Sequence, residues 1–138
     1  MDNIINGLSI VATPIGNLED ITYRAVKVLE ECDVIICENP KHSLKLLNKL
    51  GIKKKLIALH DYNEHKIINQ IKVLLKNKNC VLISDAGSPL VSDPGYNLVQ
   101  YCIANNIRVT SVPGPSSIVS SLQLSGLPIS EFAFFGFV

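Results

Sequence analysis

Tryptophan is absent from the 138 residues, and aromatic side chains of any kind make up only 6%. The apolar content of 47% is therefore mostly aliphatic, which suits the doubly buried Val/Ile/Leu strands of a parallel sheet. An excess of one charge sign is also missing. Thirteen basic and 12 acidic side chains leave a net charge of +1, without the bias expected of a free-standing nucleic-acid binder. No apolar run approaches the roughly 18 residues of a membrane span, and the opening MDNIINGLSIV lacks a basic segment ahead of a signal-peptide core. The cysteines, Cys32, Cys37, Cys80 and Cys102, form no Cys-x-x-Cys pair, and none stands at zinc-ligand spacing with His42, His60 or His65. Each lies in or beside an apolar run, where cysteine acts as a small hydrophobe. The expectation is a reduced, cytoplasmic protein with no metal and no membrane contact.

What the chain does contain is a repeated alternation of short β-branched runs and amphipathic stretches. Strands are expected at Leu8 to Ala12, Val34 to Cys37, Leu56 to Leu59, Cys80 to Ser84 and Arg108 to Val112. Between them, helices are expected at Ile21 to Glu31, around Leu44, Leu46, Leu47 and Leu50, around Ile67 to Leu75, at Tyr96 to Ala104 and at Ile118 to Leu124. Gly51 stands where a helix C-cap would fall. Strand–helix units joined by right-handed crossovers predict an α/β fold: a mostly parallel sheet of about five strands with helices on both faces, in one domain covering residues 1–138. A final run, Phe132 to Val138, reads as a further strand. Ending on FAFFGFV, it reads either as an edge strand that happens to be last or, the favoured expectation, as a sign that a second domain is missing.

Three Gly/Pro-rich loops follow strands: Thr13 to Asn17, Asp85 to Pro89, and Pro113 to Ser117. Ligands of open α/β sheets bind at the carboxyl ends of strands. Small residues there let backbone approach a ligand, and prolines hold the loop in shape beforehand. Any one such loop reads equally as a tight turn; three on one edge favour a ligand site. Neither a GxGxxG fingerprint nor a GxxxxGK[ST] phosphate loop is present. Backbone groups, hydroxyls and one acid, without a phosphate cradle, suit a nucleoside such as S-adenosylmethionine.

IVATPIGNLEDITYRAVKVLEECDVIICE, LHDYNE, LISDAGSPLVSDPG and VPGPSS, in that order, closely resemble the ribosomal RNA ribose methyltransferases of the tetrapyrrole-methylase superfamily, the small-subunit cytidine-2′-O enzymes above all. The resemblance runs from about Leu8 to Val138, with TPIGNL and SDAGSPLVSDPG its most specific parts. It implies a homodimeric two-domain enzyme that uses S-adenosylmethionine, and small-subunit (16S) ribosomal RNA as its partner. Carried across by position, the cofactor contacts are Pro14 in the first loop, Ala86, Gly87 and Ser88 in the fourth-strand loop with Val91 just beyond, and Ser116 and Ser117 after the fifth strand; Asp85, the acid of the fourth-strand loop, reads as a further ligand contact or as a cap on the turn. A methylase of a tetrapyrrole ring carbon and a non-catalytic nucleoside-binding remnant are the competing readings.

Other clusters carry less. Where the resembled enzymes read Glu-Asp-Thr-Arg-His, this chain has Glu38, Asn39, Pro40, Lys41 and His42, exchanging an acid for an amide and an arginine for a lysine without its planar fork. His60, Asp61 and Glu64 are candidates for orienting the target or taking its proton, while Asp61 or Asn63 alternatively caps the following helix. The general base is left open. His42 and His65 are expected to face solvent. Lys53, Lys54 and Lys55 read as a solvated turn or as phosphate contacts.

Overall fold

The structure is a computed structural model, described over residues 6–137. Five strands alternate with five helices: β1 (Gly7–Val11), α1 (Tyr23–Glu31), β2 (Val34–Cys37), α2 (Pro40–Leu50), β3 (Lys55–Ala58), α3 (Glu64–Leu75), β4 (Asn79–Leu82), α4 (Tyr96–Ala104), β5 (Arg108–Val112) and α5 (Ser117–Leu124). All strand pairs are parallel, in the order β3-β2-β4-β1-β5.

The two-residue period of a strand explains the two cores. In the central strands, Val34, Ile36, Cys80 and Leu82 point to one face, where Ile71 and Leu75 of α3 and Leu98 and Cys102 of α4 cover them. Ile35, Cys37, Val81 and Ile83 point to the other, under Ala25 and Leu29 of α1 and Leu47 of α2. Each cysteine is a buried free thiol. Burial pushes Cys32 and Cys102 up to about 11 and Cys80 up to about 12, so these three stay neutral core groups. Among the described residues, no helix is long and apolar enough to cross a membrane, and no three His, Cys, Asp or Glu side chains are grouped to hold a metal ion.

Helix ends follow local chemistry. Thr22 accepts from the Ala25 N–H at 3.0 Å and caps α1, so this helix starts at Tyr23 rather than Ile21. Asn39 caps α2, Pro40 occupies its first turn, and Gly51 closes it in the left-handed region at φ 69°. The expected capping of α3 by the Asn63 side chain is replaced by another arrangement. Asn63 Oδ1 accepts from the His60 N–H and its Nδ2 donates to the Ala58 carbonyl, both at 2.9 Å, tying the loop back to β3.

The expected last strand is not formed. Phe132 to Phe137 have no strand pairing, Gly136 sits in the left-handed region at φ 71°, and Phe135 and Phe137 are 83% and 90% exposed. A left-handed residue breaks the pleat that the apolar run would otherwise support. Val138 lies outside the described residues.

Leu29 is fully buried beneath β1 and β2. Leu29→Ala is expected to cost about 2–5 kcal/mol, and loss of the cap in Thr22→Ala about 1 kcal/mol. Urea unfolding of the two variants measures both, and the core change should exceed the cap change.

Candidate functional site

Along the sheet, neighbouring strands send their connections in opposite directions, and β4 and β1 are one such pair. β1 and β4 are neighbours, yet the chain leaves β1 toward β2 and leaves β4 toward β5. At such a switch point the loops part and open a crevice at the carboxyl edge. The loops after β1 and β4 are stitched across its base: Thr13 N–H donates to Gly87 O at 3.0 Å, and Gly87 N–H donates to Thr13 O at 2.9 Å. The buried Thr13 hydroxyl adds a bond to Ser84 O at 3.2 Å. Ser88 Oγ reaches the Pro115 carbonyl at 3.3 Å and ties in the loop after β5.

A cavity of about 250 Å³ opens above this floor. Ala86, Gly87, Ser88 and Val91 from the β4 loop face Ser116 and Ser117 from the β5 loop across it. Six of the residues expected at a cofactor thus meet in one pocket. Pro14 does not line it; it is buried in the floor. Asp85 stands beside it, with Oδ1 buried and unpartnered. The site residues expected from sequence did not include Ser92, Asp93, Ile118, Phe134, Gly136 and Phe137, which complete the lining. Ser92 and Asp93 stand inside the SDAGSPLVSDPG motif, which held the signal for them; the residues of the 132–137 run carried none, because folding alone brings that run over these loops.

The β4 loop is held under strain. Leu90 and Ser92, on either side of Val91, have φ values of 76° and 61°. Left-handed geometry costs a non-glycine residue of order 1–3 kcal/mol and tends to persist at functional sites. Gly87, at φ 77°, has no such cost. A Cβ there would meet Ile15 Cγ2 at 3.3 Å and Pro115 O at 3.7 Å. Glycine is therefore required first by loop packing, and a side chain there would meet the neighbouring loops as well as any ligand.

The other candidates lie further along the same edge. His60, Asp61 and Glu64 follow β3, the outermost strand, so β2 stands between them and the pocket. His60 Nδ1 and Glu64 Oε1 are buried without hydrogen-bond partners, and such atoms call for an explanation in a native fold. Glu38, at the end of β2, bridges the gap: burial raises its carboxyl pKa, and Asp85, Asp93 and Asp61 add to the rise. Asp93 is likewise raised by burial and then by Asp85, with the Ser84 hydroxyl opposing. His65 is exposed, as expected. His42 is exposed too, but its Nε2 lies 2.9 Å from the Asp85 carbonyl. Through this contact α2 reaches the β4 loop. Asn39 and Pro40 serve as cap and first turn, so the departure from the resembled motif leaves the helix start intact.

Residues 7–137 match the family model described as Tetrapyrrole (Corrin/Porphyrin) Methylases. The chain belongs to the tetrapyrrole methylase family. Within it, the chain is 51% identical over 132 residues to the ribosomal RNA small subunit methyltransferase I of Thermotoga maritima, spanning 95% of this chain and 60% of that protein. It is 46% identical over 138 residues to the protein of the same name from Escherichia coli O157:H7, spanning 99% and 48%. The chain therefore spans about half the length of the curated relatives it matches. A crystal structure from Entamoeba histolytica described as a diphthine synthase superposes with a TM-score of 0.68 at 24% identity, over 94% of this chain and 49% of that one; this likeness concerns the fold.

The raised carboxyls give this methylase fold a testable pH signature. A carboxyl whose pKa is higher in the folded state contributes stability below its unfolded pKa and loses it as pH rises through the folded value. Asp93→Asn is thus expected to raise the thermal midpoint near pH 7, with the gain vanishing at about pH 3, where the wild-type group is neutral in both states. Calorimetric melts at the two pH values decide it.

Proposed function

We propose that the pocket between the β4 and β5 loops holds S-adenosylmethionine, and that the protein to which these residues belong methylates the ribose 2′-hydroxyl of a cytidine in small-subunit ribosomal RNA. The observation that carries this reading is the convergence of Ala86, Gly87, Ser88, Val91, Ser116 and Ser117 on one cavity at the switch point. Small side chains and hydroxyls offer a nucleoside close backbone approach and hydrogen bonds, and nothing in the lining is cationic, which fits a ligand without phosphates. Asp85, with an unpartnered buried oxygen, suits the positive end of such a ligand. The RNA substrate is supported by the names of the relatives at 51% and 46% identity; those names favour RNA over a tetrapyrrole ring.

When bound, S-adenosylmethionine supplies a methyl group on a sulfonium, a good electrophile. The protein's share is then chiefly positioning, because displacement needs the nucleophile in line with that methyl group. The rigid floor made by Thr13 and Gly87 orients the donor side. Glu38, His60, Asp61 and Glu64, along the same edge, are the groups available to receive or hold the hydroxyl proton. Since the chain spans about half the length of its relatives, we further propose that it forms one wall of the cleft, with a second domain supplying the other. Homodimerisation and cytoplasmic residence complete the proposal.

Ser117 is exposed, at the first position of α5, and lines the pocket. In the full-length protein, Ser117→Leu is expected to weaken S-adenosylmethionine binding about tenfold or more, equivalent to 1.4 kcal/mol or more, with the thermal midpoint within about 2 °C of wild type. Calorimetric titration, with transfer of tritiated methyl to small ribosomal subunits, tests the reading. Undiminished affinity in a folded Ser117→Leu protein would remove this pocket from the reaction.

A further inference from the structure

The chain's near-neutral charge conceals a sharp segregation. Between Glu38 and Asp61 there is no acidic residue at all, while Lys41, Lys45, Lys49, Lys53, Lys54 and Lys55 fall in that interval. Six of the protein's 13 basic residues thus occupy a stretch holding none of its 12 acids. Without the fold, the last three lysines look like an isolated basic turn, and the first three look scattered.

Helix geometry puts the scattered three in line. Lys41, Lys45 and Lys49 recur at four-residue steps in α2, so successive lysines rise about 6 Å and rotate only about 40° around the axis. They are all exposed, whereas Ser43, Leu46 and Leu47 of the same helix are buried against the sheet. The row therefore runs along the solvent side of α2. Gly51 then turns the chain in its left-handed cap, and Lys53 and Lys55 continue it as exposed residues. At its upper end the row begins beside the pocket, because His42, next to Lys41, touches the Asp85 carbonyl at 2.9 Å.

We propose that the solvent face of α2 and the turn after it form a phosphate-binding track that holds the RNA backbone and leads it to the pocket. This rests on the reading of ribosomal RNA as substrate. Lysine ammonium groups are compact point charges suited to phosphate without base discrimination. Phosphate contacts of this kind fix register on the nucleic acid, and selection of the target nucleotide falls to the pocket edge. The lysine at position 41, standing where the resembled enzymes carry an arginine, keeps the charge such a track requires.

The test compares three forms of the full-length protein: wild type, the track variant Lys41→Gln/Lys45→Gln/Lys49→Gln, and a control variant Lys66→Gln/Lys76→Gln/Lys78→Gln. The control removes the same charge from exposed positions in and just after α3, on the opposite face of the sheet. Glutamine keeps helix propensity close to that of lysine. Affinity for small-subunit ribosomal RNA is measured across a salt series, with S-adenosylmethionine affinity and thermal midpoint on the same preparations. Each lost phosphate contact lowers the slope of log K against log salt by about 0.7–0.9. The track variant is expected to lose about 2–3 from that slope and to bind at least about tenfold more weakly at low salt. The control should keep the wild-type slope, and S-adenosylmethionine affinity should be unchanged in both variants. Equal losses in the two variants would reduce the effect to net charge and overturn the proposal, as would an unchanged slope in the track variant. So would loss of binding to phosphatidylserine-containing vesicles while RNA binding is retained. If the wild-type protein transfers no methyl group to small subunits, the substrate reading itself fails, a result distinct from all of these.

Discussion

Two backbone hydrogen bonds between Thr13 and Gly87, 3.0 and 2.9 Å long, hold the site together. They join loops from neighbouring strands at the point where the chain's connections part, so they close the bottom of a crevice that the topology would otherwise leave open. Everything above depends on that seal. Ile15 packs where a Gly87 side chain would lie, Ser88 is left free to reach Pro115, and the β5 loop is brought opposite the β4 loop. The glycine at 87 is the cheapest solution to this geometry, since its positive φ carries no steric penalty and its missing Cβ leaves room for Ile15.

Around that seal the protein tolerates several local costs. Leu90 and Ser92 hold left-handed backbone, Glu38 and Asp93 keep carboxyls whose ionisation burial opposes, and His60, Glu64 and Asp85 each bury a polar atom without a partner. All of these features lie at the carboxyl ends of β2, β3 and β4, in the loops that follow, or at the start of α3. The centre of the sheet below shows the opposite character: β2 and residues Cys80 to Leu82 of β4 are continuously apolar and buried, with cysteines serving as neutral core groups. A rigid apolar support under a strained, polar rim is the usual division between stability and function in open α/β folds.

The elements were legible from the sequence because each has its own local cause. Val34 to Cys37 reads as a strand since every residue is apolar and β-prone, and a strand between two helical layers needs no polar face. Asn39, Pro40 and Gly51 mark both ends of α2 through their own backbone preferences. Phe132 to Val138 misled for the same reason. Its composition is that of a strand, but pairing depends on an available edge and on Gly136 adopting an extended conformation, neither of which local pattern can report.

What the sequence by itself determined is the set of parts: two-faced strands, capped helices, and loops rich in glycine, proline and serine at Thr13 to Asn17, Asp85 to Pro89 and Pro113 to Ser117. Those follow from side-chain shape and backbone preference within a few residues. Only the tertiary structure decided which parts meet. Strand order β3-β2-β4-β1-β5 brings residues 13 and 87 into contact and sets the His60 loop one strand away from the pocket, and the packed fold carries Phe134 and Phe137 over that pocket. Such contacts join residues distant in the chain. They are set by how two hydrophobic faces are buried at once, a condition on the whole fold that no short stretch of sequence contains.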